Sequence, residues 1–271
     1  MKKNKLKITI VLSVFLALVM VFCVFIFKNP KDKQEYNIDK KEAEVLEIEN
    51  KKVSDISSSI SKKGVTTKIK NISNDPVSDI TIDYVELDKD NKKLSNKQLP
   101  VDITLKKDEK ALVSIVPQEY TETIDITGYR YIKENYDIKV DLDNDKVSAI
   151  KEDKKENEKI DNGEKYEILD VSDLVQMDET SYKLNIKNKS DKNIGNIILK
   201  TAEVNQDGEY VSVNDISANT TLEAKGNIKM ILTSSDENNK VEIVGYTYDD
   251  IGSKMNIDVD LKANSANVVK N

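Results

Sequence analysis

The stretch "DLDNDKVSAIKE", residues 141–152, spaces four carboxylates as an ion-binding loop would. Asp141, Asp143, Asp145 and Glu152 fall at loop positions 1, 3, 5 and 12, where hard oxygen ligands hold calcium. Lys146 stands where such a loop turns on glycine, and strand-like rather than helical sequence precedes it. A strand end running into an acidic linker is the competing reading. Two S-x-x-K patterns, Ser59-Ile60-Ser61-Lys62 and Ser148-Ala149-Ile150-Lys151, have the spacing of Ser/Lys acyl-transfer enzymes. That chemistry needs the serine on a helix lining a pocket with further partner motifs, and neither pattern has that context. No enzyme activity and no cofactor is expected.

Residue types that are absent or scarce narrow the chemistry further. The chain has no His, which removes imidazole-activated nucleophiles, imidazole proton shuttles and His-ligated zinc or haem. Its one Cys is Cys23, so no disulfide framework and no later thiol nucleophile exist. Trp is absent, against a carbohydrate-stacking platform. Among 42 Lys and Arg, Arg130 is the only arginine, so bidentate recognition of phosphate is nearly unavailable.

"ITIVLSVFLALVMVFCVFIF", residues 8–27, is an uncharged run of 20 residues that as a helix would rise about 30 Å, enough to span a bilayer. A cleaved signal peptide would have a shorter apolar core ending at small residues, whereas this one ends "FIFKNPK". The reading is an uncleaved signal anchor, with residues 1–7 cytoplasmic because lysines cluster before the span. Phe22 before Cys23 does not suit lipid attachment, and Cys23 reads as apolar filler. Everything after residue 27 is acidic: all 49 Asp and Glu lie there, with 38 of the 42 Lys and Arg. Nucleic acid is excluded as a partner, since its binding rests on a basic surface.

The elements that must position any site come twice. Residues 65–131 laid over 182–248 without a gap give 14 identities, among them "IKN" at 69–71 and 186–188, Ser73 and Ser190, Glu86 and Glu203, and Gly-Tyr-x-Tyr in "TGYRY" (127–131) and "VGYTY" (244–248). Apolar positions coincide as well, which two copies of one fold require. Short period-2 segments such as "VTTKIKN", "DITIDYVELD" and "KALVSIV", parted by Asn, Asp, Lys and Pro, predict an all-β sandwich. In "DITIDYVELD" the apolar phase slips after Tyr84, and in the second copy after Thr201. A β-bulge is expected there in both copies. Hairpin turns follow at "DKDNK" and "NQDGE", with Asn91 and Gly208 suited to positive φ. The paired tyrosines read as core or corner residues rather than a ligand surface.

The run "KNISNDPVSDITIDYVELDKDNK" resembles the small extracytoplasmic β-sandwich domains of Gram-positive envelope proteins, including the FxLYD type. In place of that signature the chain has "YVELD" at 84–88 and "TAEVN" at 201–205. The resemblance implies a packing scaffold or interaction module and brings no catalytic residues. The expected organisation is a cytoplasmic start (1–7), a signal anchor (8–27), a stalk (28–43), and two immunoglobulin-like sandwich domains (44–144 and 165–262). A linker (145–164) joins them, and a flexible tail (263–271) follows. The expected role is a single-pass cell-membrane protein with its domains extracytoplasmic, binding or scaffolding an envelope protein or polymer. The alternative is a calcium-dependent structural or adhesive spacer, for which calcium would raise the melting temperature markedly.

Overall fold

A computed structural model describes residues 35–36, 38–54, 56, 64–134, 136–151, 158–160 and 163–270. The chain is all-β, and apart from β3 its two halves run through corresponding elements. The first half holds β1 (Glu35–Tyr36), the short helix α1 (Lys40–Ala43), β2 (Leu46–Glu49), β3 (Lys52–Val53), β4 (Val65–Asn71), β5 (Ser78–Leu87), β6 (Lys93–Val101), β7 (Lys110–Ile115), β8 (Thr123–Lys133), β9 (Tyr136–Asp141) and β10 (Lys146–Lys151). The second half holds β11 (Glu158–Ile160), a 3-10 turn (Gly163–Tyr166), β12 (Leu169–Gln176), β13 (Ser181–Asn188), β14 (Ile194–Val204), β15 (Glu209–Ser217), β16 (Asn227–Thr233), β17 (Lys240–Asp250), β18 (Met255–Asp260) and β19 (Ser265–Lys270).

Sheet order repeats with the sequence. The run β1-β10-β9-β8-β5-β6, with β3 on β8, is matched by β11-β19-β18-β17-β14-β15, and β2-β4-β7 by β12-β13-β16. Isolated bridges recur too, Val77 with Leu105 and Ile194 with Leu222. In the first copy Ile69, Ala111, Val113 and Ile115 of one sheet share a buried cluster with Ile80, Ile82, Ile124 and Ile138 of the other. In the second copy Leu184, Ile186 and Leu232 meet Ile197, Leu199 and Ile257 in the same way. This layering follows from strands that are apolar on one face, and it is consistent with a β-sandwich. The expected positive φ is present at Asn91 (57°) and Gly208 (75°).

Four expectations need correction. The bulge lies at the expected level in both copies, but the extra residue is on the neighbouring strand. Asp83 pairs with Gly128 and Tyr84 with Ile126, which leaves Thr127 of β8 unpaired, and Val244 of β17 is left out in the same way. β5 therefore keeps its phase, and Glu86, not Val85, follows Tyr84 on the buried face. The tail 263–271 is largely a strand: β19 pairs along all of β18 and buries Ala266. The linker 145–164 begins only after β10, and its Glu158–Ile160 pairs with β19. The stalk 28–43 contributes β1 to the sheet edge and buries Ala43 at the end of α1. The outer segments "KVSAIK" and "SANVVK", each one strand in from a sheet end, are nearly as polar as a linker because each buries only one or two residues.

The halves also meet. Tyr210 and Glu209 of β15 pair in parallel with Ala111 and Lys110 of β7, which joins one copy's six-strand run to the other's three strands in a nine-stranded sheet. Ala202, Tyr210 and Val244 are buried within the first copy's cluster. Lys262 Nζ donates to Glu109 Oε1 at 2.8 Å and to Tyr210 Oη at 2.6 Å, and lies 4.4 Å from the Tyr210 ring centre. Lys68 pairs with Glu209 at 2.6 Å, and Thr104 donates to Asp260. Among the described residues no helix is long and apolar enough to cross a membrane, and residues 8–27 lie outside them.

Candidate functional site

Gly-Tyr-x-Tyr is a tie between strands. Tyr129 and Tyr131 project to one face of β8, two residues apart, with ring centres 6.3 Å apart, and Tyr246 and Tyr248 of β17 repeat this at 6.2 Å. The Tyr129 hydroxyl accepts the Leu46 N–H at 3.2 Å, while the Tyr131 hydroxyl donates to the Ala43 carbonyl at 3.1 Å. In the second copy Tyr246 accepts from Leu169 at 3.3 Å and Tyr248 donates to the Tyr166 carbonyl at 3.2 Å. Each pair thus holds one backbone donor and one acceptor of the helical turn and strand that open its copy. Burial disfavours the phenolate and pushes Tyr129 up to about 12, with Tyr131, Tyr246 and Tyr248 also raised by burial.

The repeated asparagines do similar work. Asn71 donates to the carbonyls of Asp75 and Leu105 at 2.8 and 2.7 Å and accepts from Ser73. Asn188 donates to Lys192 and Glu223 at 2.7 and 2.9 Å and accepts from Ser190. The asparagine of "IKN" and its serine recur in the two copies because each buried asparagine satisfies backbone groups of the exposed turn that follows it.

The acidic loop is a hairpin. Asp141 ends β9, and its carboxylate accepts the N–H groups of Asp143 and Asn144 at 3.1 and 3.0 Å and the Asn144 side chain at 2.9 Å. These bonds, the Asn144 side chain foremost, hold the Asp141 carboxyl below its usual range. Asp260 caps the β18–β19 turn with the same hydrogen bonds, accepting the N–H groups of Lys262 and Ala263 at 2.8 Å each. Asp143 pairs with Lys51 at 3.0 Å, and Asp145 pairs with Lys40. The structure thus brings Asp141, Asp143 and Asp145 into one turn but directs the last two to separate lysines. Glu152 lies outside the described residues. Among the described residues no group of three or more acidic or thiol side chains is placed to hold a metal ion. Of the S-x-x-K patterns, Ser148 and Lys151 lie on the edge-near strand β10, and the pattern at 59–62 lies outside the described residues.

Alternation failed to find the buried glutamates. Glu86 is 0% exposed and Glu203 5%, each on the inward face of its strand. Both accept an N–H from the loop leading into the motif strand, Gln118 at 3.3 Å and Ser235 at 3.1 Å. The available signal was identity at equivalent positions, 86 and 203, against an apolar pattern. Beside Glu203 a cavity of about 260 Å³ opens between β14, β15 and β16.

No family model matches the chain, and no curated protein matches it. Among solved structures, a red sea bream transglutaminase is similar over 76% of this chain and 29% of its own, at 11% identity and a TM-score of 0.20. A chain described as pT26-6p is similar over 76% of this chain and 59% of its own, at 7% identity and a TM-score of 0.18. The chain thus spans about a third of the first of these and under two thirds of the second, and scores this low carry no chemistry across.

Proposed function

We propose that this is a non-catalytic binding or scaffold protein of the cell envelope, anchored by residues 8–27 and presenting two tandem immunoglobulin-like sandwich domains outside the membrane. The observation that carries the reading is the duplication of roles. Tyr129/Tyr246, Tyr131/Tyr248, Asn71/Asn188 and Asp141/Asp260 each tie the corresponding backbone segments in both copies, with Asn188 reaching Glu223, one residue beyond the equivalent of Leu105. Residues that recur for chemistry would converge on a cleft, whereas these converge on strand ends and turns. Such a framework suits presentation of a surface, and the acidic excess after residue 27 suits solubility. The test is fractionation of cells expressing the chain, followed by protease added from outside. The intact chain should sediment with membranes, and its bulk should be degraded on whole cells. A soluble product lacking residues 1–27, or full protection from protease, would sink the reading.

A further inference from the structure

Glu86 and Glu203 face different surroundings, and the difference points to a ligand. In the first copy Glu86 Oε1 accepts from Lys97 Nζ at 3.1 Å and from the Gln118 N–H at 3.3 Å, and Oε2 accepts from Ser95 Oγ at 2.8 Å. Lys97 lies opposite Tyr84 on β6, and Tyr84 is buried beside the glutamate on β5. The equivalents in the second copy are smaller and uncharged: Thr201 for Tyr84 and Asn214 for Lys97, paired in the same register.

Glu203 Oε2 is well supplied, with Ser234 Oγ at 3.1 Å, Ser235 Oγ at 2.7 Å and Asn239 Nδ2 at 2.9 Å, and it shares the Ser235 N–H with Oε1. Oε1 has only that shared N–H among the described residues, so the lone pair that Lys97 uses in the first copy is unclaimed here. No described cation pairs with this carboxylate, although it is 95% buried. Burial alone would raise its pKa, but the hydrogen bonds from Asn239, Ser235 and Ser234 outweigh that and hold it below its ordinary value, hence charged at neutral pH. The adjoining cavity is lined by Thr201, Glu203, Asn214, Ile216, Leu232 and Val241, among others, combining apolar wall with one charged end. A bare calcium or magnesium ion would take six or more oxygens, which one carboxylate and a few hydroxyls do not supply.

We propose that this cavity binds a lysine side chain of a partner protein, its methylenes against Ile216, Leu232 and Val241 and its ammonium on Glu203 Oε1, as Lys97 sits on Glu86 in the first copy. The site gives the binding role proposed above a chemistry and rests on that reading only for its setting, since membrane attachment is tested separately. The experiment is calorimetric titration of the detergent-purified full-length chain with Nα-acetyl-lysine amide and, as an uncharged isostere of equal stem length, Nα-acetyl-norleucine amide. The lysine probe should bind saturably at one site and at least about tenfold more tightly than the isostere, since a charge-assisted contact is lost in the latter. Glu203→Gln should weaken it by a similar factor. The double variant Thr201→Tyr with Asn214→Lys, which rebuilds the first copy's occupant, should abolish binding while raising the melting temperature. Equal binding of the two probes, unchanged affinity in the double variant, or no binding of the lysine probe overturns the proposal. Tighter binding of n-pentylammonium than of the lysine probe overturns the lysine assignment.

Discussion

The Val140 carbonyl oxygen lies 2.3 Å from where a Cβ on residue 128 would project, and the Val259 oxygen 2.6 Å from one on residue 245. Gly128 and Gly245 are therefore required by close approach of the next strand, just after the bulged Thr127 and Val244. A glycine repeated within strand sequence is compatible with close approach, a bulge or a positive φ, but nothing in the sequence singles out the neighbouring oxygen. The consequence is measurable. Gly245→Val should destabilise the full chain by more than about 1 kcal/mol although valine favours strands, because backbone must move to admit it. Gly252→Ala, whose Cβ would meet only Asp250 Oδ1 at 3.5 Å, should stay within about 0.5 kcal/mol. Denaturant melts of the two variants decide it, and a neutral Gly245→Val would mean the strands separate there at no cost. The glutamates taught the opposite lesson. Glu86 breaks the apolar alternation and so mimics a phase slip, whereas the strand keeps its phase with a charged residue on the buried face.

At the scale of elements, legibility followed burial. Central strands such as β4, with Thr67, Ile69 and Asn71 inward, alternate visibly in the sequence. The strands at or next to the sheet ends, β1, β10, β11 and β19, look like stalk, linker and tail in sequence, since an outer strand needs only one or two inward residues. β19 shows how much such a strand can matter. It lies between β18 and β11, buries Ala266 and Ser265, and its Ser265 backbone packs against Gly163. A chain ending at residue 262 would leave the inner edge of β18 unpaired and Val259 and Ile257 less covered. Its melting temperature should fall by at least about 5 °C relative to the full chain, with the loss in the transition that reports the second copy. Calorimetry of the two lengths tests this, and coincident thermograms would show that residues 263–271 are a dispensable tail.

For the whole molecule, the joint between copies was invisible in the sequence, because two parallel residue pairs and a buried lysine leave no local pattern. Yet the joint shares a property with both cores, the burial of tyrosine hydroxyls. Of 11 tyrosines, Tyr84, Tyr129, Tyr131, Tyr246 and Tyr248 are raised by burial within the copies. Tyr210 at the joint is raised by burial and by the neighbouring Glu242 and Glu109. An unfolded tyrosine releases its proton near pH 10, whereas the folded chain keeps these six protonated beyond that, Tyr129 to about 12. Above about pH 10 the unfolded state therefore binds fewer protons than the native state, so stability falls as pH rises. Spectrophotometric titration should show these six tyrosines ionising only above about pH 10, and together with loss of the β-sheet circular dichroism signal. Because Tyr129, Tyr131, Tyr246 and Tyr248 anchor the opening segment of each copy and Tyr210 anchors one copy to the other, the two events should coincide in both cores and at the joint. Ionisation of all 11 in one reversible step, with the sheet signal intact, would mean that the hydroxyls are open to water and that the ties between strands are not what hold the copies together.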